Sequence, residues 1–399
     1  MSKRAPLPAS SVAFPAAARR EPPRLIIAGS QASADMLYAT RFFVPDPFLL
    51  LEQDGRKTIL LNDLEVDRGR REAAVDETLS LTAFTVEHKK ALGRNPTYMQ
   101  VAAHFLKTRG VRRAVVPDDF PLAFAVGLAR EGVQVAPPKR GGFWPERLRK
   151  TPAEIGHLRR ALAITQAGMS RALEVLSAAR AAGGRKAAPG APLQWGGAVL
   201  TSERLRAEID SAVLQAGGLP ANTIAAGGEQ ACDPHERGSG PLRAGELIIL
   251  DIFPRDAATG YFGDLTRTVV KGRATDAQRD LWLTVQEGQA RTLKALRGGA
   301  DGHKIHEGTK RFFKERGYPT ELRDGRNVGF FHGTGHGLGL ELHEAPRFSG
   351  VRSFEPGTVV TVEPGLYFPG LGGVRLEDVA AITPRGCDVL SDFPQVLEV

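Results

Sequence analysis

The chain has 399 residues, more than a single hydrophobic core usually serves, so two domains are the expectation. Hydrophobic residues at 42% and charged residues at 25% exclude a mainly disordered chain, and 53 Lys+Arg against 45 Asp+Glu raise nucleic acid as a partner with no binding signature to support it. Two cysteines, Cys232 and Cys387, are too few for a disulfide framework, which points to a reducing, cytoplasmic setting.

The opening MSKRAPLPASSVAFPAAARREPP interrupts any apolar core of a signal peptide with proline and serine, and reads as a flexible tail over residues 1–23. No run approaches a membrane span. From residue 24 short apolar runs alternate with amphipathic ones: RLIIAG, FLLLEQ and TILLND as strands, YMQVAAHFLKTRG as a helix, RRAVVPD as a strand, LAFAVGLAREG as a helix and VQVAPP as a strand. That order predicts a small α/β domain over 24–146, in which His88 and His104 read as structural or surface residues. The stretch KRGGFWPERLRK, 139–150, reads as a solvated basic linker. A second domain, 147–399, opens on a long amphipathic helix with Thr151 as N-cap and Pro152 at its first position. Further helices are expected at SERLRAEIDSAVLQAGG, DAQRDLWLTVQEGQARTLKAL and GHKIHEGTKRFFKERG, with His303 and His306 of the last as surface residues. Strands are expected at ELIILDIF, GYFGDLTRTVV, TVVTVEPG and VRLEDVAAI, which makes this domain α+β with an antiparallel sheet.

Residues 331–344, FHGTGHGLGLELHE, hold His332, His336 and His343 among four glycines. Histidine is the commonest metal ligand and the usual acid–base group near neutral pH, and glycine lets other groups come close to the main chain. Asp251 ends an apolar run, and Asp264 follows it thirteen residues later across the turn PRDAATG. Glu363 follows TVVTV and Glu377 follows VRL, so four carboxylates sit in apolar strands where each is costly without a partner. A salt bridge would satisfy any one of them. Together with one histidine they carry a charge near −4, which two divalent cations would cancel. The ligand set is mostly hard, which suits manganese and tolerates cobalt, iron or zinc. Two ions about 3.5–4 Å apart can activate a water and polarise a carbonyl, the equipment for amide hydrolysis. Smaller motifs carry less. GTGHGLG lacks the strand–turn–helix context of a dinucleotide loop, HEAPR lacks the second histidine of a zinc helix, and Cys232 reads as a buried small hydrophobe.

In order and spacing, DIFPRDAATGYFGDLTRT, HGTGHGLGLELHE, TVEPGLY and GGVRLED resemble the motifs of the pita-bread metallopeptidases, in the Xaa-Pro branch of prolidase and aminopeptidase P. The resemblance runs from about residue 150 to the end, and the segment before it resembles the creatinase-type N-terminal domain of that branch. It implies an α+β chain: a C-terminal pita-bread fold, a curved antiparallel sheet with flanking helices, preceded by the smaller α/β creatinase-type domain. It implies that Asp251 binds a first metal, that Asp264 and Glu377 bridge both, and that His336 and Glu363 hold the second. By the same resemblance His343 handles a proton beside the scissile carbonyl, His332 lines the proline-side pocket and His235 contacts substrate. Glu363 would also act as the acid near the attacking water, and Arg375 would steady carboxylates or the intermediate. The implied activity is hydrolysis of the bond preceding proline in di- or oligopeptides, by a hydroxide bridging two divalent ions, with manganese expected. A homodimer is implied, with no nucleic acid and no membrane as partner, and dipeptidase and aminopeptidase remain alternatives. Three departures stand out: the Asp251–Asp264 loop is about two residues longer than is common, Ala221 stands where many members carry a tyrosine, and HEAPRF replaces an acidic, glycine-containing continuation. The competing readings are a non-catalytic binding module and a different hydrolase on the same scaffold. Relatives of the first kind typically lose metal ligands, and none is lost here.

Overall fold

A computed structural model describes residues 22–139, 141–184 and 190–399, so all but the last two residues of the expected tail lie outside the described residues. The chain divides into two compact units between Phe143 and Trp144.

In the first unit the expected strands and helices form, joined by others that the apolar pattern did not mark. In chain order they are β1 (Arg24–Ala28), α1 (Ala34–Thr40), β2 (Phe48–Gln53), β3 (Arg56–Leu61), α2 (Val66–Glu72), β4 (Glu77–Ser80), α3 (Leu81–Leu92), α4 (Tyr98–Thr108), β5 (Arg113–Val115), α5 (Leu122–Arg130) and β6 (Gln134–Ala136). The six strands make one mixed sheet, β4-β3-β2-β1-β5-β6. Alternate residues Leu25, Ile27, Leu49 and Leu51 face Ala102, Phe105 and Leu106 of α4, the period-2 and period-3.6 stripes closing one core. Helices α1 and α3 had no strong stripe to announce them, but Ser33 and Ser80 cap them through their hydroxyls. His104 bonds Glu87 at 3.2 Å and its ring stacks on His88, a structural role as expected.

The second unit opens with α6 (Pro152–Ala178), where Thr151 and Glu154 complete a capping box around Pro152. There follow β7 (Arg180–Ala181), β8 (Leu193–Trp195), β9 (Ala198–Val199), α7 (Ser202–Gln215), β10 (Gly218–Leu219), β11 (Ile224–Gly227), β12 (Leu247–Ile252), β13 (Arg255–Asp256) and β14 (Leu265–Val270). Then come α8 (Asp276–Ala295), α9 (Gly302–Glu315), β15 (Glu321–Arg323), β16 (Arg326–Val328), β17 (Val359–Val362), β18 (Gly365–Phe368), β19 (Gly372–Arg375), β20 (Asp378–Ile382) and β21 (Cys387–Val389). The strand pairs of this unit are antiparallel, as expected, with β11-β12-β14 and β17-β20-β21 as its principal ladders. Strands β12 and β14 are buried on both faces, against α6 and α7 on one side, with Leu176, Ile209, Val213, Leu250 and Val269 in that core.

Two expectations need correction. VRLEDVAAI is not one strand: it breaks between β19 and β20, because the Glu377 N–H leaves the ladder and donates to Thr266 O at 3.0 Å. The run 139–150 is not merely solvated, since the Lys150 side chain is 2% exposed and ion-paired to Glu344 at 2.7 Å. No helix of the described residues is long and apolar enough to cross a membrane.

Candidate functional site

Four strands bring their acids to one place. Asp251 lies in β12, opposite Ile224 of β11 and Thr266 of β14, while Asp264 stands one residue before β14. Glu363 follows β17 and Glu377 occupies the break between β19 and β20. The turn between Asp251 and Asp264 is held by contacts of its own. Strand β13 pairs with β10, and fully buried Asp256 holds the turn by accepting from Ala258 N at 3.0 Å, Thr259 Oγ1 at 2.7 Å and Arg160 Nε at 2.9 Å.

The histidine segment runs alongside β17. Thr361 N–H donates to His336 O at 2.8 Å, Glu363 N–H donates to Thr334 O at 2.9 Å, and Gly337 bridges to Val360. Such a close approach explains one glycine directly: a Cβ on Gly335 would lie 2.0 Å from Thr361 O. His336 is thereby placed with its Nε2 at 3.4 Å from Glu363 Oε1 and 3.7 Å from Asp264 Oδ2. Its Nδ1 lies 3.0 Å from Gly337 O, which can only accept, so the proton sits on Nδ1 and Nε2 presents a lone pair.

A cavity of about 660 Å³ has Asp251, Asp264, His336, Glu363, Glu377, His235, His332, His343 and Arg375 all on its wall, so every expected site residue meets there. Ala221, half-buried, does not line it. Ligand atoms of Asp264, His336 and Glu377 lie within 4.8 Å of one another. The chemistry of this cluster calls for cations. Asp251 Oδ1 is buried with no hydrogen-bond partner, and the His336 lone pair faces two carboxylates that can offer it no proton while ionised. Burial, followed by the charge of Glu377, drives the Asp264 carboxyl well above its usual range, and burial with the charge of Glu363 does the same to Glu377. Glu363 is pushed up to about 7, chiefly by burial. Positive ions among these groups would remove the repulsion and satisfy the orphaned oxygen, so the residues present fit a divalent metal centre.

The guanidinium of Arg375 anchors the edge of the cluster. Its Nη2 donates to Asp251 Oδ2 at 2.7 Å and its Nη1 to Tyr367 Oη at 2.9 Å. Burial raises the Tyr367 hydroxyl to about 12, so it stays protonated and donates a hydrogen bond to His332 Nε2 at 2.9 Å, while His332 Nδ1 donates to Gly333 O at 2.8 Å. Both ring nitrogens of His332 are thus committed, and burial, with the Arg375 charge second, lowers its pKa to about 3. His343 meets His336 edge to face at 4.4 Å, and partial burial of its ring lowers its pKa to about 4, with the charges of His336 and Arg347 adding to the shift. Replacing Tyr367 with phenylalanine is expected to cost about 1–3 kcal/mol, the penalty for an unsatisfied buried group at His332 Nε2, read as a lower urea midpoint with an unchanged slope.

Several supporting residues escaped the sequence reading. Thr266 Oγ1 donates to Glu377 Oε2 at 2.7 Å, and Thr268 Oγ1 donates to Arg375 O at 2.9 Å. Between them Arg267, 1% exposed, points the other way, donating to Glu377 O at 2.6 Å and pairing with Asp378 at 2.9 Å. The signal was present: a charged residue in an apolar strand, flanked by threonines of opposite facing, needs a buried partner. His306 also corrects its expectation as a surface residue. It is half-buried in α9 with Nδ1 at 2.8 Å from Thr334 Oγ1, inside the histidine segment. Cys232 is buried, and burial raises its thiol to about 11, so it is inert as expected.

Residues 156–384, more than half of the chain, match metallopeptidase family M24. The chain is a member of that family. Membership implies divalent metal ions, in agreement with the Asp264, His336 and Glu377 cluster of this M24 chain. It is 35% identical over 173 residues to the Xaa-Pro dipeptidase of Pyrococcus furiosus, a stretch covering 43% of this chain and 47% of that one. It is 32% identical over 275 residues to Xaa-Pro aminopeptidase 1 of Streptomyces coelicolor, covering 60% and 50%. The chain thus spans about half the length of the curated relatives it matches. Among solved structures, the X-Pro aminopeptidase of Thermotoga maritima superposes with a TM-score of 0.76 at 21% identity, covering 95% of this chain and 97% of that one. The Xaa-Pro dipeptidase of Bacillus anthracis gives 0.76 at 24% identity, covering 94% and 95%. These likenesses establish the pita-bread fold of the M24 chain and its α+β class.

Proposed function

We propose that this M24 chain hydrolyses the peptide bond preceding proline in di- or oligopeptides, with two divalent ions, manganese expected, held by Asp251, Asp264, His336, Glu363 and Glu377. The observation that carries the reading is the unprotonated Nε2 of His336 turned toward Asp264 and Glu363, beside a buried Asp251 oxygen with no partner. When bound, the ions supply Lewis acidity toward the scissile carbonyl and lower the pKa of a water. The chain supplies the rest. Glu363, on the cavity wall beside His336, takes the proton of the attacking water. His343, neutral at physiological pH, hydrogen-bonds the scissile carbonyl from the open side of the cavity, and His235 binds the substrate carbonyl or carboxylate beyond it. Arg375 holds the Asp251 carboxylate in place through Nη2.

The preference for proline follows from the wall that would receive it. Proline has no N–H to satisfy once its nitrogen is acylated, so an apolar wall whose polar atoms are already paired suits its ring. Phe331 and His332 line the cavity, and both nitrogens of His332 are spent on Gly333 and Tyr367. The named activities of the dipeptidase and aminopeptidase relatives support the same substrate class. Residues 24–146 serve as a creatinase-type domain in this reading, and the assembly is a cytoplasmic homodimer.

The test is cleavage of Ala-Pro and of Ala-Pro-Ala by manganese-loaded protein, with metal content measured before and after a chelator. Cleavage that is lost with the metal and regained on reloading is expected. Preference for the dipeptide assigns a dipeptidase and preference for the tripeptide an aminopeptidase. Failure to cut either peptide with two ions bound would overturn the substrate class.

A further inference from the structure

The segment that leads into α6 reaches back to the histidine loop. Lys150 Nζ donates to Glu344 Oε2 at 2.7 Å and Arg147 Nη2 donates to Glu344 Oε1 at 2.5 Å, with the Lys150 and Glu344 side chains 2% and 6% exposed. Lys150 is itself held, through Nζ to Arg147 O at 2.6 Å and through its N–H to Gly357 O at 2.8 Å. Glu344 closes the loop from the other end. Its N–H donates to Gly337 O at 2.9 Å and its carbonyl accepts from Gly337 N at 3.0 Å, while the same Gly337 carbonyl receives the His336 Nδ1 proton. His343 precedes Glu344 directly and meets the His336 ring at 4.4 Å. The side-chain pair therefore grips the loop 336–344 at the residue next to His343, and its backbone bridge reaches the residue next to His336. There is little slack in the grip: a Cβ on Gly339 would lie 2.7 Å from the Glu344 carboxylate oxygens.

We propose that Lys150 and Arg147 are positioning residues for His343, acting through Glu344, and that the basic segment before α6 is thereby part of the catalytic unit. A carboxylate buried to this extent with two cations will not rotate freely, because each alternative rotamer leaves a buried charge unpaired. The backbone of His343 inherits that rigidity. Its ring stands on the exposed side of the cavity and has no hydrogen-bond partner of its own among the described residues, so its direction depends on where Glu344 is pinned. A proton-handling group needs placement within a fraction of an ångström, and support of this kind is the usual means.

The inference rests on the proposed Xaa-Pro hydrolysis for its kinetic readout, so wild-type cleavage of Ala-Pro is the first control. Lys150→Met is expected to lower kcat by about 10- to 100-fold, the range for groups that support rather than contact the reacting atoms, with KM and metal stoichiometry little changed. Lys150→Arg is expected to recover most of the loss. The double variant Lys150→Met, Glu344→Leu removes both buried charges, so it should regain thermal stability while kcat stays low. A substrate-free readout separates this proposal from the reading beneath it: the ring-proton NOE between His336 and His343 in the zinc-loaded, histidine-labelled protein. It should be present in wild type and lost in Lys150→Met and in the double variant. If wild type cuts no prolyl peptide, the NOE alone decides. A double variant with wild-type kcat, an NOE unchanged in the variants, or a kcat that falls only in step with metal content would overturn the positioning role.

Discussion

Glu363→Ala should lose more than about a hundredfold in kcat on a prolyl peptide, beyond the range seen when groups that merely support metal ligands are removed. The variant should still fold. The Glu363 backbone N–H remains bonded to Thr334 O, and what disappears is a carboxylate that touches Thr361 Oγ1 at 3.3 Å and faces His336 Nε2 at 3.4 Å. Its charge is among those that raise both Asp264 and Glu377, so deleting it relieves repulsion within the metal-free cluster. The expected signature is therefore divided: activity lost, less than two metal equivalents bound, and a thermal midpoint of the chelated protein equal to or above wild type. An inactive variant with a lowered midpoint would mean structural damage instead. A fully active one would remove Glu363 from the site.

The second large effect is expected at Gly335→Ala, and it comes from the backbone. Strand β17 passes so close that the new methyl group would meet Thr361 O at 2.0 Å, and Thr361 cannot retreat because its own N–H is bonded to His336 O at 2.8 Å and its neighbours pair with β20. A contact that short forces the histidine segment off the strand. Overpacking of this kind costs about 3 kcal/mol at its upper range, which lowers the melting temperature of a unit this size by about 6–12 °C. The metal site should suffer more than the fold, since His336 is the next residue and loses its distance to Glu363 and Asp264 together. Calorimetry with metal titration tests this. A variant that melts and binds metal like wild type would mean that the loop does not lie on β17.

These two residues also mark what could be read from sequence and what could not. The acids were legible because burial makes an unpaired carboxylate conspicuous: Asp251, Glu363 and Glu377 each end or interrupt an apolar strand, and the structure sets all of them on one cavity wall. The long helix was legible down to Thr151 and Pro152 because capping is local. The pairing partners of the ligands were not, since Thr266, Thr268 and Tyr367 gain meaning only from strands that arrive from distant parts of the chain. Lys150 and His306 were misread for the same reason. A basic residue before a helix and a histidine at a helix start are exposed in most proteins, and only tertiary contacts with Glu344 and Thr334 reverse the expectation. The break after β19 illustrates the limit from the other side. The apolar pattern of VRLEDVAAI is that of a continuous strand, and one backbone bond from Glu377 to Thr266 interrupts it.

The two His-Gly pairs have a further consequence. In each, the imidazole Nδ1 donates to the carbonyl of the very next residue, Gly333 O for His332 and Gly337 O for His336. The choice of tautomer is therefore made within a dipeptide. It needs no bound ion, and in His336 the Nε2 that faces Asp264 and Glu363 is a bare acceptor before a cation arrives, whereas in His332 it accepts from Tyr367 Oη. Loading the site then requires the neutral His336 imidazole to exchange no tautomer and turn no ring.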